Sequence, residues 1–191
     1  MPDLNLTIRY LRILSGIILF AYVVTHLANH SMGIISLSAM EAGRILFLNF
    51  WRDIAIAYTL YGALCLHLLL GIYAICKRKT TKLTFKEWVR NISAVLIPFF
   101  LASHLAMTLY GSRVLSLSDN YHFMVVVTWI FDPVGVAGLT VMLILVWVHA
   151  AIGIHGLLQF RQLYVYNRRL IFAFYWLFPT LALLGYYSAG M

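Results

Sequence analysis

Four histidines stand in two repeated motifs. Thr25-His26-Leu27-Ala28 is echoed by Ser103-His104-Leu105-Ala106, and a glycine follows each histidine seven residues later, Gly33 and Gly111. His67 and His149 each open a His-x-x-x-Gly-Ile run, with Gly71-Ile72 and Gly153-Ile154. All four lie inside strongly apolar segments, where an unpaired imidazole is costly and by default marks function. Two imidazoles facing each other with no carboxylate or thiolate nearby suit the axial positions of haem iron. Zinc or copper would normally need further ligands at the same level. Gly71 and Gly153 sit one helical turn after their histidines on the same face, and Gly33 and Gly111 two turns after theirs, which leaves room for a flat macrocycle. A single glycine of this kind is ordinary membrane-helix packing; four in register with four histidines point to a cofactor.

The remaining candidates are ranked around those four. His30 lies one turn outward of His26 on the same face, as a contact for a haem propionate or a quinone, or as a rival ligand; Thr108 holds the equivalent place after His104. His155 is six residues beyond His149 and off its face, a polar contact, and His122 reads as a solvated loop residue. Propionates prefer cations. On one side of the chain only Arg44, Arg52 and Arg113 offer them; on the other, Arg9, Arg12, Lys77, Arg78, Arg90 and Arg161 compete. Asn29, His30, Trp51 and Arg113 are the candidate quinone contacts. No set of residues reads as a catalytic centre.

The elements that must position these residues are membrane helices. The 191-residue chain is 63% apolar and only 10% charged, with a mean hydropathy of +0.89; soluble domains carry about 25% charged residues. The fold class is therefore all-α, an integral membrane bundle in a single domain, with apolar runs near 12–33, 53–76, 91–111, 134–160 and 169–188, each near the roughly 20 residues a crossing needs. Pro98 and Pro179 fall inside the third and fifth runs and are expected to kink them. Residues 34–50 are too mixed to cross and read as a short amphipathic helix at the outer interface. Residues 121–131 read the same way or as an extension of the fourth span, and Trp51 and Trp129 suit an interfacial aromatic belt.

Arg9, Arg12, Lys77, Arg78, Lys79, Lys82, Lys86, Arg90, Arg161, Arg168 and Arg169 fall on one side, eleven of the fourteen Lys and Arg. The positive-inside rule then puts the N-terminus in the cytoplasm and the C-terminus outside. The net charge of +8 is accounted for by these flanks, so nucleic acid is not an expected partner. Cys65 and Cys76 form no C-x-x-C pattern, which argues against a c-type haem or a zinc ribbon. The first apolar run is long and lacks a small-x-small cleavage site, so it reads as a retained helix.

The histidines also sort by alignment. The third span overlies the first at a constant offset of 78, placing Arg90, Ser93, His104 and Gly111 on Arg12, Ser15, His26 and Gly33; the fourth overlies the second at 82, His149 on His67. A two-helix unit used twice is thus expected, a parallel repeat about the membrane normal. Counting at 1.5 Å per residue gives an outer pair, His26 with His104, and an inner pair, His67 with His149.

These motifs resemble the di-haem cytochrome b membrane anchors of succinate dehydrogenases and fumarate reductases, in which successive helices give one ligand each, first paired with third and second with fourth. The run Thr25-His26-Leu27-Ala28-Asn29-His30 leading into Ser38-Ala39-Met40-Glu41-Ala42-Gly43-Arg44, with Leu181-Ala182-Leu183-Leu184-Gly185 near the end, looks more like the N-terminal membrane anchor of bacterial class III adenylate cyclases. That resemblance implies two haem b, a quinone or quinol ligand, and an inner-membrane location in bacteria. It also implies a sixth helix and a cytoplasmic cyclase beyond Met191, with a homodimer among the assemblies it allows. The chain itself carries no nucleotide-binding or two-metal carboxylate pattern. Two functions are therefore open: a redox- and quinone-sensing domain for a cytoplasmic effector, or an electron-carrying subunit between a flavoprotein with iron–sulfur centres and quinone. A metal transporter using His26 and His30 as an i,i+4 site is a third, weaker reading.

Overall fold

A computed structural model describes residues 4–78 and 82–190; Lys79, one of the inner-side cations, lies outside the described residues. The chain is helical, with no strand among the described residues. Helix α1 (Leu4–Ser31) ends in a tight turn at Met32–Ile34, followed by α2 (Leu37–Trp51) and α3 (Ile54–Cys76). Helix α4 (Phe85–Leu105) widens over Ala106–Tyr110, beginning two residues after His104, and closes in the short α5 (Gly111–Arg113). Helix α6 (Tyr121–Val125) passes into a second widened stretch, Val126–Phe131, before α7 (Pro133–Leu158). Two helices complete the chain, α8 (Gln162–Tyr166) and α9 (Arg168–Ser188). Widened turns of this kind recur at functional sites.

Side chains set the boundaries by capping first-turn N–H groups. Ser36 accepts from Ala39 N at 3.0 Å, Asp53 from Ala55 N at 3.1 Å, and Asn120 from Phe123 N at 2.8 Å. Thr84 and Glu87 form a reciprocal capping box at the start of α4. Asp132 leaves the helical conformation and caps Gly135, and Pro133 follows at the first helical position. Residues 121–131 are therefore a separate segment and do not extend α7. Pro98 and Pro179 lie within α4 and α9, which continue past them.

Five helical segments are long and apolar enough to cross a membrane: Leu4–Ile34, Ile54–Cys76, Phe85–Arg113, Pro133–Leu158 and Arg168–Ser188. They point large apolar residues outward, Leu14, Ile17, Val95, Phe99 and Trp176 among them. An apolar surface of that extent suits lipid rather than water.

Helix α1 packs along α3 and α9, and α4 along α7. A core of Leu27, Leu143, Trp147 and Ala182, with Phe20 and Phe178 packed against it, joins α1, α7 and α9. Trp147 donates its indole N–H to the Tyr175 carbonyl at 2.8 Å, so this deeply buried ring is both packed and hydrogen-bonded. Two other helix pairs, α1 with α4 and α3 with α7, come into backbone proximity marginally at most among the described residues. Those are the pairs that the histidines bridge.

Candidate functional site

His26 on α1 and His104 on α4 have ring centres 6.1 Å apart; His67 on α3 and His149 on α7 have theirs 6.2 Å apart. First and third spans thus contribute one pair, second and fourth the other. His26 is eleven residues beyond Ser15, a residue that touches His67, so the pairs are separated by about 16 Å along α1. No group of three or more His, Cys, Asp or Glu forms a metal-holding cluster among the described residues. The histidines stand as two pairs.

The inner pair is held by identical contacts. His67 Nδ1 lies 3.1 Å from the Arg12 carbonyl and 3.2 Å from Ser15 Oγ. His149 Nδ1 lies 3.2 Å from the Arg90 carbonyl and 3.2 Å from Ser93 Oγ. Each hydroxyl also donates to the same carbonyl, at 3.1 Å for Ser15 and 2.9 Å for Ser93. A carbonyl can only accept, so the proton sits on Nδ1 and the Nε2 lone pair is left bare. A metal-binding histidine is oriented in this way, its second nitrogen hydrogen-bonded to a backbone carbonyl. Ser15 and Ser93 are among the most buried polar residues, 2% and 1% exposed. They had no role in the sequence reading, although the 78-residue offset had already aligned them.

The outer pair differs. His26 stacks on Tyr22, with ring centres 5.6 Å apart and planes 10° apart, and its Nε2 lies 3.3 Å from His30 Nε2. One of those two nitrogens must donate to the other. His30 Nδ1 is buried without a partner, as are the Tyr186 hydroxyl and the Trp129 indole N–H. His30 packs edge-on to Tyr186 at 5.7 Å and to Tyr121 at 5.9 Å, and Tyr186 lies 5.5 Å from Trp129. Asn29, 3% exposed, donates to the Tyr121 hydroxyl at 2.9 Å. Of the four candidate quinone contacts, Asn29 and His30 meet at Tyr121. Trp51 instead donates to Thr25 Oγ1 at 2.9 Å and packs on Tyr22, and Arg113 is exposed on a pocket of about 310 Å³ with Arg52, Ser112, Ser118 and Asp119.

The outer arginines are mostly committed. Arg44 binds Glu41 at 2.5 Å and Asp119 at 3.2 Å, and Arg52 also pairs with Asp119. Glu41 in turn accepts the Tyr121 N–H at 2.9 Å. The Arg44 hydrogen bond holds the Glu41 carboxyl below its ordinary range. Burial alone would raise Asp119, but Arg52 and Arg44 bring it below its ordinary value. Burial pushes the Tyr121 phenol up. Arg44 and Arg52 thus fasten α2 to the segment before α6, and of the three expected propionate partners Arg113 alone has no ion pair among the described residues.

The glycines divide. A methyl group at Gly71 or Gly153 would meet nothing within 4 Å, though Gly62, Gly138 and Gly156 are equally open. A methyl at Gly33 would strike the Gly185 backbone, so its missing side chain serves the crossing of α1 with α9. Gly111 is buried, and a methyl there would make ordinary contact with Leu117 at 3.7 Å. Gly16, which the motifs did not mark, brings α1 against His67; a methyl there would come within 3.0 Å of the ring. His155 is a polar contact, hydrogen-bonded to the buried Tyr164 at 2.9 Å.

Two imidazoles bound on opposite sides of one metal, at about 2.0 Å per bond and with about 1.2 Å from nitrogen to ring centre, have centres about 6.4 Å apart. Both pairs match that span. Edge-to-face aromatic packing covers the same range, so spacing alone does not separate the two. In the inner pair the Nε2 atoms are also bare, which leaves both rings able to act as ligands. Comparison with known proteins found no matching family model, no matching curated protein and no matching solved structure.

Proposed function

We propose that the chain is a di-haem b-type membrane cytochrome domain, with His26 and His104 holding an outer haem and His67 and His149 an inner one. The observation that carries this reading is the matched hydrogen bonding of His67 and His149, each with Nδ1 fixed on a carbonyl and each facing the other at 6.2 Å. Bound haem supplies a one-electron couple. The chain's own part is to present four imidazoles, fix the two inner rings with their Nε2 atoms bare and exclude water with apolar helices. The duplicated two-helix unit belongs to this reading, supported by the equivalent Arg12–Ser15–His67 and Arg90–Ser93–His149 contacts.

The function we assign is redox sensing for a cytoplasmic effector, a cyclase by the resemblance, in a bacterial inner membrane with the N-terminus inside. Quinone or quinol is taken as the signal, received near Asn29 and His30. A change of charge inside a low-dielectric bundle biases the helices that carry the ligands. His67 joins α3 to α1 and His149 joins α7 to α4, so such a bias acts on both pairs of helices.

Pyridine haemochrome assay with redox difference spectra tests the assignment. Two haem b per chain are expected, with loss of one in His67→Ala or His149→Ala while the other remains. Quinol should reduce the purified protein. Absence of a Soret band would overturn the reading, and rapid electron delivery from a flavoprotein partner would move the function from sensing to electron transfer.

A further inference from the structure

The connection between α7 and α9 turns outward what a loop ordinarily hides. Phe160 and Tyr166 are 86% and 85% exposed, Val165 is exposed beside Tyr166, and Arg161, Arg168 and Arg169 stand exposed in the same stretch. Tyr164 is the exception. It is 7% exposed, with its hydroxyl 2.9 Å from His155 Nδ1 and its ring edge-on to that imidazole at 5.3 Å. The Arg161 carbonyl accepts the Tyr164 N–H at 3.0 Å. One aromatic thus pins the connection to α7, while its neighbours and the arginines face away from the bundle.

No acid answers these cations. The chain has no Asp or Glu after Asp132. Among the described residues, Glu41 and Asp119 bind Arg44 and Arg52, Glu87 pairs with Arg78, and Asp53 and Asp132 cap α3 and α7. Arg168 and Arg169 also open α9, which has no acidic residue in its first turn. A helix start disfavours cations, so what these two gain must come from outside the helix.

Depth selects the partner. Arg161 lies three residues past the end of α7 at Leu158, and Arg168 is the first residue of α9. Both helices are long and apolar enough to cross a membrane, which brings the three cations to headgroup level. Exposed aromatic and apolar side chains at that level suit the boundary between headgroups and acyl chains. Basic residues clustered beside a span recognise anionic lipid, and a guanidinium matches phosphate in two-point contact. An acidic protein in water would leave Phe160, Val165 and Tyr166 unaccounted for.

We propose that the α7–α9 connection is a docking surface for anionic phospholipid in the adjoining leaflet. Arg161, Arg168 and Arg169 meet the phosphates, and Phe160, Val165 and Tyr166 meet the acyl boundary. The inference is independent of the haem assignment, since none of these residues belongs to either histidine pair.

The test places the full chain in nanodiscs of phosphatidylcholine alone or of an equimolar mixture with phosphatidylglycerol. Hydrogen exchange over residues 159–167 should be slower in the mixed discs. Native mass spectrometry of protein released from them should show phosphatidylglycerol retained in preference. Each of Arg161→Gln, Arg168→Gln and Arg169→Gln should lower that preference about fivefold, and the triple glutamine variant should abolish it. The triple lysine variant, which keeps the charge, should retain most of it. The wild-type comparison needs no variant and decides the question even where a substitution fails to fold. Equal exchange in both discs, with no preferential retention, would overturn the proposal. Slower exchange on adding polyglutamate, with no response to phosphatidylglycerol, would assign the surface to an acidic protein and overturn the lipid.

Discussion

Ser15 Oγ lies 3.2 Å from His67 Nδ1 and gives its own proton to the Arg12 carbonyl. The imidazole therefore rests on a small network built from one turn of α1, and Ser93 repeats it for His149. Replacing either serine by alanine should cost about 1 kcal/mol in hydrogen bonding. Loss of such a supporting contact typically weakens metal binding by about 10- to 100-fold. Transfer of haem from detergent-solubilised Ser15→Ala or Ser93→Ala to apomyoglobin should accordingly be faster for one haem and unchanged for the other. Equal release of both would show that the serines do not act through the inner pair.

His26 has a neighbour that His67 lacks. With His30 Nε2 only 3.3 Å from His26 Nε2, a second imidazole stands ready in the outer site. His26→Ala is expected to keep part of the outer haem with an altered spectrum, and His26→Ala/His30→Ala to lose it. His67→Ala should lose the inner haem outright. Identical spectra for the single and double outer variants would dismiss His30 as a substitute ligand.

The glycines give a stability test and an occupancy test that move apart. A side chain at Gly33 or Gly185 strikes the backbone of the other helix, and overpacking of this kind costs about 1–3 kcal/mol. Gly185→Val should therefore lower the unfolding midpoint in detergent. Gly71→Ala and Gly153→Ala meet no protein atom within 4 Å and should leave that midpoint alone. If those glycines make room for the macrocycle, they will still reduce haem content; full occupancy in both variants would end their assignment as haem contacts.

Acid should loosen the outer rim. Glu41 and Asp119 are both held below their ordinary ranges, Glu41 chiefly by the Arg44 hydrogen bond and Asp119 by Arg52 and Arg44 against its burial. A depressed carboxyl contributes stability that is complete above its unfolded value, near pH 4. That stability disappears as pH falls through the folded value. Hydrogen-exchange protection factors in residues 114–121, corrected for the intrinsic rate, should fall on acidification below about pH 4, and Asp119→Asn should reproduce the effect at neutral pH. Surface pairs are worth only about 0.2–1 kcal/mol each, and these pairs keep some solvent access, so added salt should narrow the difference.

The sequence made the helices and the partners of the histidines legible for definite reasons. Apolar runs long enough to cross lipid leave little alternative to helices, and the offsets of 78 and 82 already matched His26 to His104 and His67 to His149. Contacts that depend on side-chain direction stayed hidden. Gly33 looked like its counterpart Gly111, but only the packing of α9 reveals Gly185 in the space. Glu41, one turn before Arg44, is legible as a local partner, whereas Asp119, which ties Arg44 to another segment, is 75 residues away. Ser15 and Ser93 were visible as an aligned pair, yet their chemistry appears only when α3 and α7 bring the rings beside them.

The separation of α1 from α4, and of α3 from α7, bears on biogenesis. The facing helices have little close backbone packing to zip them together. Helix α9 follows both in the chain and packs on α1 and α7 at once, so it adds to the fastening that Arg44 and Arg52 give through Asp119. On the di-haem reading, newly made apoprotein would present quality-control proteases with a bundle still parted along its histidine seam.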